Sequence, residues 1–146
     1  MAYFHRGMKV EVCSKQEGFV GSYYEGTVVA EYRINNSYAI CYRNLLTEDE
    51  SHALIEVVGA DELRPAPPKV NMAKDDQFVP FEEADAFDND GWWVGKISGR
   101  KGASKYNVFF DVYGVEILYP SSQLRPHLEW IGGQWVSASL SRKRVF

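Results

Sequence analysis

Apolar and polar residues alternate along this chain in short bursts. Met8 to Val12 shows the two-residue period of a half-buried strand. Tyr24 to Tyr32 follows, carrying Thr27, Val28 and Val29, which suit a pleated surface. Between them Ser14 to Gly21 reads as a loop, with Gly18 and Gly21 as its flexible points. Asn35-Asn36-Ser37 is a turn signal, and Tyr38, Ile40 and Tyr42 then share one face of a third strand. A polar loop from Arg43 to His52 leads to a fourth strand over Ala53 to Val58. Leu63-Arg64-Pro65 closes the series as a short helical turn or strand, and Met1 to Gly7 reads as a lead-in.

Pro65-Ala66-Pro67-Pro68 cannot continue a central strand and predicts a domain boundary. Beyond it the order recurs. An apolar run from Gln77 to Glu82 precedes an acidic loop over Ala84 to Asp90. Strands are predicted over Trp92 to Ile97, Tyr106 to Val112 and Val115 to Tyr119, and Leu124-Arg125-Pro126 closes the copy. Tyr24-Glu25-Gly26 matches Trp93-Val94-Gly95, and Leu63-Arg64-Pro65 matches Leu124-Arg125-Pro126. The offset falls from 69 to 61 between these anchors, which places eight extra residues of the first copy in the 43–54 loop. Such a repeat of short strands without helical periodicity predicts an all-β chain of two small, strongly bent antiparallel barrels. Cores that small predict that the two pack together. The domains run over residues 4–66 and 67–136, with 137–146 as a basic tail or linker. Trp130 and Trp135 lie outside the repeat and are expected to cap the second barrel or seal the interface between the copies.

Composition narrows the function. The chain is 45% hydrophobic and 14% aromatic, enough for packed cores. Residues 1–65 hold 6 Lys/Arg against 10 Asp/Glu, and residues 66–130 hold 7 against 10. Acidic surfaces repel phosphate backbones, which argues against nucleic acid and for a basic peptide as partner. Cys13 and Cys41 are too few for a disulfide framework or a zinc site and read as buried small hydrophobes. No apolar run approaches a membrane span. No phosphate loop, nucleophile elbow or metal-spaced histidine pair is present, so neither enzyme activity, cofactor nor metal is expected. His5, His52 and His127 read as surface histidines, and Glu82, Glu83, Asp85, Asp88 and Asp90 lack the order of a calcium loop.

The aromatic pairs Tyr23-Tyr24 and Trp92-Trp93 each open a strand. Alternation sends the members of a pair to opposite faces. Phe19, Tyr24 and Tyr42 could then converge at one end of the first barrel, with Tyr23 beside them as rim. A ring of π faces attracts a methylated ammonium by roughly 0.5–2 kcal/mol per good contact. Glu17, Glu48 or Asp49 could accept the remaining N–H of a dimethyl-lysine, and Glu82, Asp85 and Asp88 could line an acidic peptide groove. Phe87, Trp93 and Phe110, with Asp111, offer a second cage. The competing reading makes these rings half-buried core residues with wet hydroxyls.

Ala86-Phe87-x-Asn89-Asp90-Gly91-Trp92-Trp93-x-Gly95-x-Ile97, with Leu124-Arg125-Pro126 and Trp130-Ile131-x-Gly133-x-Trp135-Val136, closely resembles a plant Agenet domain. Gly7 to Pro65 resembles the partner Agenet that commonly precedes it, so residues 4–136 look like a tandem Agenet module of the Tudor-like Royal superfamily. The resemblance implies bent five-stranded Tudor-like barrels, chromatin reading and a nuclear location. By position it puts cage aromatics at Tyr24 and Trp93, at Tyr42 and Phe110, and near Phe19 and Phe87. Arg43-Asn44 departs from the acidic residue that often follows the strand-three aromatic, so Glu48 or Asp49 must reach in, whereas the second copy keeps Asp111. The first copy is the expected methyl-lysine site. The implied partner is a histone H3 tail methylated within Ala-Arg-Lys-Ser, the silent-chromatin mark, read by a monomeric module of a longer multi-Agenet chain. The alternatives are a nucleic-acid-binding module and a protein-docking scaffold.

Overall fold

The computed structural model describes residues 4–69 and 78–137. They form two compact units, one of residues 4–66 with the turn Asn89–Gly91, the other of residues 67–69, 78–88 and 92–137. The described residues hold strands and single 3-10 turns but no α-helix, and therefore no helix long and apolar enough to cross a membrane.

The first unit has five strands: β1 (Lys9–Val12), β2 (Ser22–Tyr32), β3 (Ser37–Leu46), β4 (Ala53–Gly59) and β5 (Leu63–Pro65). They pair antiparallel in the order β5-β1-β2-β3-β4. The second unit repeats this with β6 (Glu83–Asp88), β7 (Gly91–Lys101), β8 (Lys105–Phe110), β9 (Val115–Pro120) and β10 (Leu124–Pro126), in the order β10-β6-β7-β8-β9. Each is an open ladder, with no pairing between its fourth and fifth strands among the described residues. The final hairpin, β11 (Leu128–Ile131) and β12 (Gln134–Ser137), forms a two-stranded sheet of its own in which the Trp130 and Trp135 rings lie 5.0 Å apart. The rest of the basic tail lies outside the described residues.

Register makes the repeat explicit. Gly26 pairs with Tyr42, and a bulge follows between Val28 and Ala30; β7 has its bulge between Ile97 and Gly99. A bulge at the same place in both copies bends the sheet at the same point. Val10, Val12, Val28, Ile40, Tyr42 and Leu63 are buried in the first unit, and Ala84, Ala86, Ile97, Val108, Phe110 and Leu124 take their places in the second. Gly26 and Gly95 are glycine because β3 and β8 come close. A Cβ on Gly95 would lie 2.5 Å from Val108 Cγ1 and 3.0 Å from Phe109 O, and one on Gly26 would strike Ile40 Cγ2.

Four expectations are corrected. The lead-in belongs to the fold: Phe4 is buried edge-on against Tyr38 at 5.4 Å, as Phe78 is against Tyr106 at 5.3 Å. Residues 84–90 are not a loop, since Glu83–Asp88 is the first strand of the second copy and pairs with β10. Of the eight extra residues, seven lie between Cys41 and its partner Ile55, and one lies in the hairpin turn before Ser37. A further five sit in the β1–β2 loop. There the second copy has only Asn89 and Asp90, with φ of 49° and 67°, the left-handed pair that a two-residue hairpin needs. Cys13 and Cys41 are free thiols and only half-buried.

Candidate functional site

Each aromatic pair splits across its sheet, as alternation requires. In the first unit Tyr24 pairs with Val12 and lies two residues from Gly26, whose partner is Tyr42. Tyr24 and Tyr42 are thus diagonal neighbours on one face, within reach of each other's rings. Phe19, on the β1–β2 loop, stands 6.3 Å from Tyr24 at 65° and is 44% exposed. The two tyrosines are buried, with their hydroxyls committed: Tyr24 donates to Asn89 O at 3.1 Å and Tyr42 to Glu56 Oε1 at 2.9 Å. Burial, then the Glu56 carboxylate, raises the Tyr42 phenol well above its ordinary pKa. The carboxylate at this mouth is therefore that of Glu56, on β4. Sequence reasoning missed it because it sits on the strand past the long loop, where the pleat and not the spacing brings it to Tyr42.

The expected acids lie elsewhere. Asp49 turns into its own loop, accepting from Thr47 Oγ1 at 2.6 Å and from Ser51 N and Oγ, and these bonds lower its carboxyl to about 2. Glu17 and Glu48 are exposed.

On the opposite face Tyr23 is buried under Arg64, whose guanidinium carbon sits 3.6 Å above its ring. Arg64 Nη2 and Nε donate to Glu11 Oε1 at 2.7 and 3.1 Å, in a pair 6% and 1% exposed. The second unit repeats the device with Arg125 at 4.2 Å over Trp92 and 2.7 Å from Asp85. This explains both doublets and both Leu-Arg-Pro motifs: one ring faces the mouth, and the other stacks on the closing arginine, which a buried carboxylate of the first strand holds.

Several site expectations change accordingly. Tyr23 is a stacking partner of Arg64 rather than a rim residue. Glu82 and Asp85 are buried rather than lining a solvent-facing groove. Glu82 accepts from Val79 N, and Asp85 holds Arg125 and His127. Phe87 lies on β6 and packs edge-on against Trp92 at 5.1 Å, not against Trp93. Phe19 lies in the five-residue excess of the first β1–β2 loop and has no counterpart in the second copy. Phe110 is buried in the core. Trp93 is half-buried, 5.9 Å from Tyr113, and Asp111 is exposed two residues before that tyrosine; the Trp93 indole N–H donates to Asp88 O, while the Asp88 carboxylate accepts from Tyr119.

His127 is buried, not at the surface. Nδ1 lies 2.7 Å from Asp85 and Nε2 2.7 Å from Glu129. Burial opposes its charge, but the bonds to Asp85 and Glu129 outweigh it and carry the imidazole from 6.5 up to about 9. Glu83, His127 and Glu129 bring ligand atoms within 4.8 Å of one another, but at neutral pH the imidazole carries a proton on the nitrogen a cation would need. Because the folded pKa is raised, this contribution is complete below about 6.5 and is lost as pH rises through about 9. Thermal melting of the second unit should fall across that window, by on the order of 2–3 kcal/mol in stability. His127→Gln should flatten the dependence.

Residues 7–68 match the family model of the Agenet domain. A crystal structure of Arabidopsis thaliana AGDP1 AGD34 superposes with a TM-score of 0.82 at 30% identity, covering 90% of this chain and 88% of that one. The chain belongs to the Agenet-domain family. A crystal structure of ADCP1 tandem Agenet domain 3-4 matches with a TM-score of 0.79 at 27% identity. The A. thaliana protein AGENET DOMAIN (AGD)-CONTAINING P1 is 36% identical over 140 residues, 92% of this chain and 27% of that protein. The A. thaliana DUF724 domain-containing protein 3 is 37% identical over 145 residues, 94% of this chain and 20% of that protein. The chain therefore spans about a quarter or less of the length of these two curated relatives. Agenet domains are protein-interaction modules with a Tudor-like β fold, a class generally without enzymatic activity, and the open five-stranded ladders here agree with that fold.

Proposed function

We propose that this Agenet module reads methylated lysine, and that the first unit holds the side chain. The observation that carries the reading is the mouth beside Gly26. Tyr24 and Tyr42 share its face, Phe19 stands steeply inclined to Tyr24 at the exposed end, and the Glu56 carboxylate sits on the Tyr42 hydroxyl. Methylation strips water from an ammonium and adds apolar surface, so rings gain on the methylated form what they lose on the hydrated one. Glu56 adds a negative charge that favours either form. The partner is a basic tail, and the family resemblance favours histone H3 methylated within Ala-Arg-Lys-Ser, read in the nucleus by a monomeric module of a longer chain. The Trp93, Tyr113 and Asp111 corner of the second unit is the second candidate cage.

Calorimetric titration with Ala-Arg-Lys-Ser peptides in unmodified, mono-, di- and trimethyl forms tests this. Dimethyl peptide should bind at least tenfold tighter than unmodified peptide. Phe19→Ala should weaken it by about 2- to 30-fold, the value of one such contact, at unchanged melting temperature because the ring is exposed. Equal affinity for all four forms refutes the reading.

A further inference from the structure

The compact unit that contains Tyr24 is not made of the first copy alone. It includes Asn89–Gly91, the turn that leads into β7. Two features of this turn bear on Tyr24. The Asn89 carbonyl accepts the Tyr24 hydroxyl at 3.1 Å, a partner 65 residues away in sequence. A Cβ built on Gly91 would lie 2.7, 2.8 and 3.0 Å from Cε1, Cζ and Cδ1 of Tyr24. An atom in the ring plane and that close to Cε1 would stand well farther from the two neighbouring carbons, so Gly91 covers the face of the ring and not its edge. The buried glycine thus closes one π face of Tyr24 while the carbonyl fixes the ring's rotation. Phe19, steeply inclined at 65°, stands against the same ring.

We propose that the Asn89–Gly91 turn is a positioning element of the methyl-lysine site, holding Tyr24 so that a single π face meets the ammonium. This rests on the assignment of that site to the first unit. The glycine of the Asn-Asp-Gly signature then has a role in the neighbouring copy's chemistry as well as in its own hairpin. The contact requires a residue without a side chain at 91. The bond requires only a backbone carbonyl at 89, so the Asn89 side chain is dispensable provided the left-handed φ of 49° is kept, which glycine does without strain.

The experiment uses the full chain and the dimethyl Ala-Arg-Lys-Ser peptide, with the unmodified peptide as its pair. Gly91→Ala should cut affinity for the dimethyl peptide at least tenfold and bring it close to that of the unmodified one. Tyr24→Phe keeps the ring and removes the hydroxyl that donates to Asn89 O. It should weaken dimethyl binding about three- to tenfold, with the melting temperature little moved. Wild-type selectivity in both Gly91→Ala and Tyr24→Phe overturns the positioning role. Wild-type binding by Tyr24→Leu, which has no π face, overturns instead the placement of the site at Tyr24. If Gly91→Ala does not fold, Tyr24→Phe decides alone: unchanged affinity and selectivity refute the proposal, and a selective loss supports it.

Discussion

Glu11→Ala is expected to cost the first unit about 3–5 kcal/mol, the usual penalty for leaving one member of a buried ion pair alone. Glu11 is 1% exposed and Arg64 lies with its guanidinium between that carboxylate and the Tyr23 ring. Without Glu11 the cation stays desolvated, and the π face cannot replace a full charge. Domains of this size have total stabilities of about 5–15 kcal/mol, so the melting temperature should drop by at least roughly 15 °C. The double variant Glu11→Leu with Arg64→Met should recover most of the loss, because it removes the charge together with its partner. A Glu11→Ala melting temperature within a few degrees of wild type would mean that water reaches Arg64 and that the pair contributes little.

Tyr24→Leu and Tyr42→Leu should each abolish detectable binding of the dimethyl peptide. Both keep an apolar side chain in the mouth and cost little stability compared with alanine, so circular dichroism should show a folded module. What they remove is the π face. The two tyrosine rings on this face supply most of the differential attraction for a methylated ammonium, and the exposed Phe19 cannot hold it alone. If both variants bind normally, the ammonium sits elsewhere, and the Trp93–Tyr113 corner is the place to look.

Much of the frame is legible from the strand pattern, because β1 to β5 and β7 to β9 alternate as half-buried strands do, and because Leu-Arg-Pro marks each closing strand. β6 is not legible. Its inward and outward positions include Asp85, a fully buried carboxylate, and a strand that buries an acid looks like an acidic loop until Arg125 and His127 are seen beside it. The same cause hides His127, whose burial depends on partners 42 and 2 residues away. The mouth was half legible. Alternation separates Tyr24 from Tyr23, and the glycine two residues on points to Tyr42. Loop residues have no period to read. Phe19 and Phe87 therefore look equivalent in sequence while one sits on a loop and the other on a strand. Glu56 and the Asn89–Gly91 turn are brought to the tyrosines by pairing and by tertiary packing, neither of which leaves a local trace.

The two copies keep bulge, core positions, glycine approach and arginine clamp in step, and differ in length chiefly in the β1–β2 and β3–β4 loops. Closing a longer loop is cheap: each doubling of length costs only about 0.6 kcal/mol. Variation is thus nearly free at the two rims that carry Phe19 and lead to Glu56, and expensive in the ladder beneath them. A series of such units can diversify what it grips by lengthening those two rims.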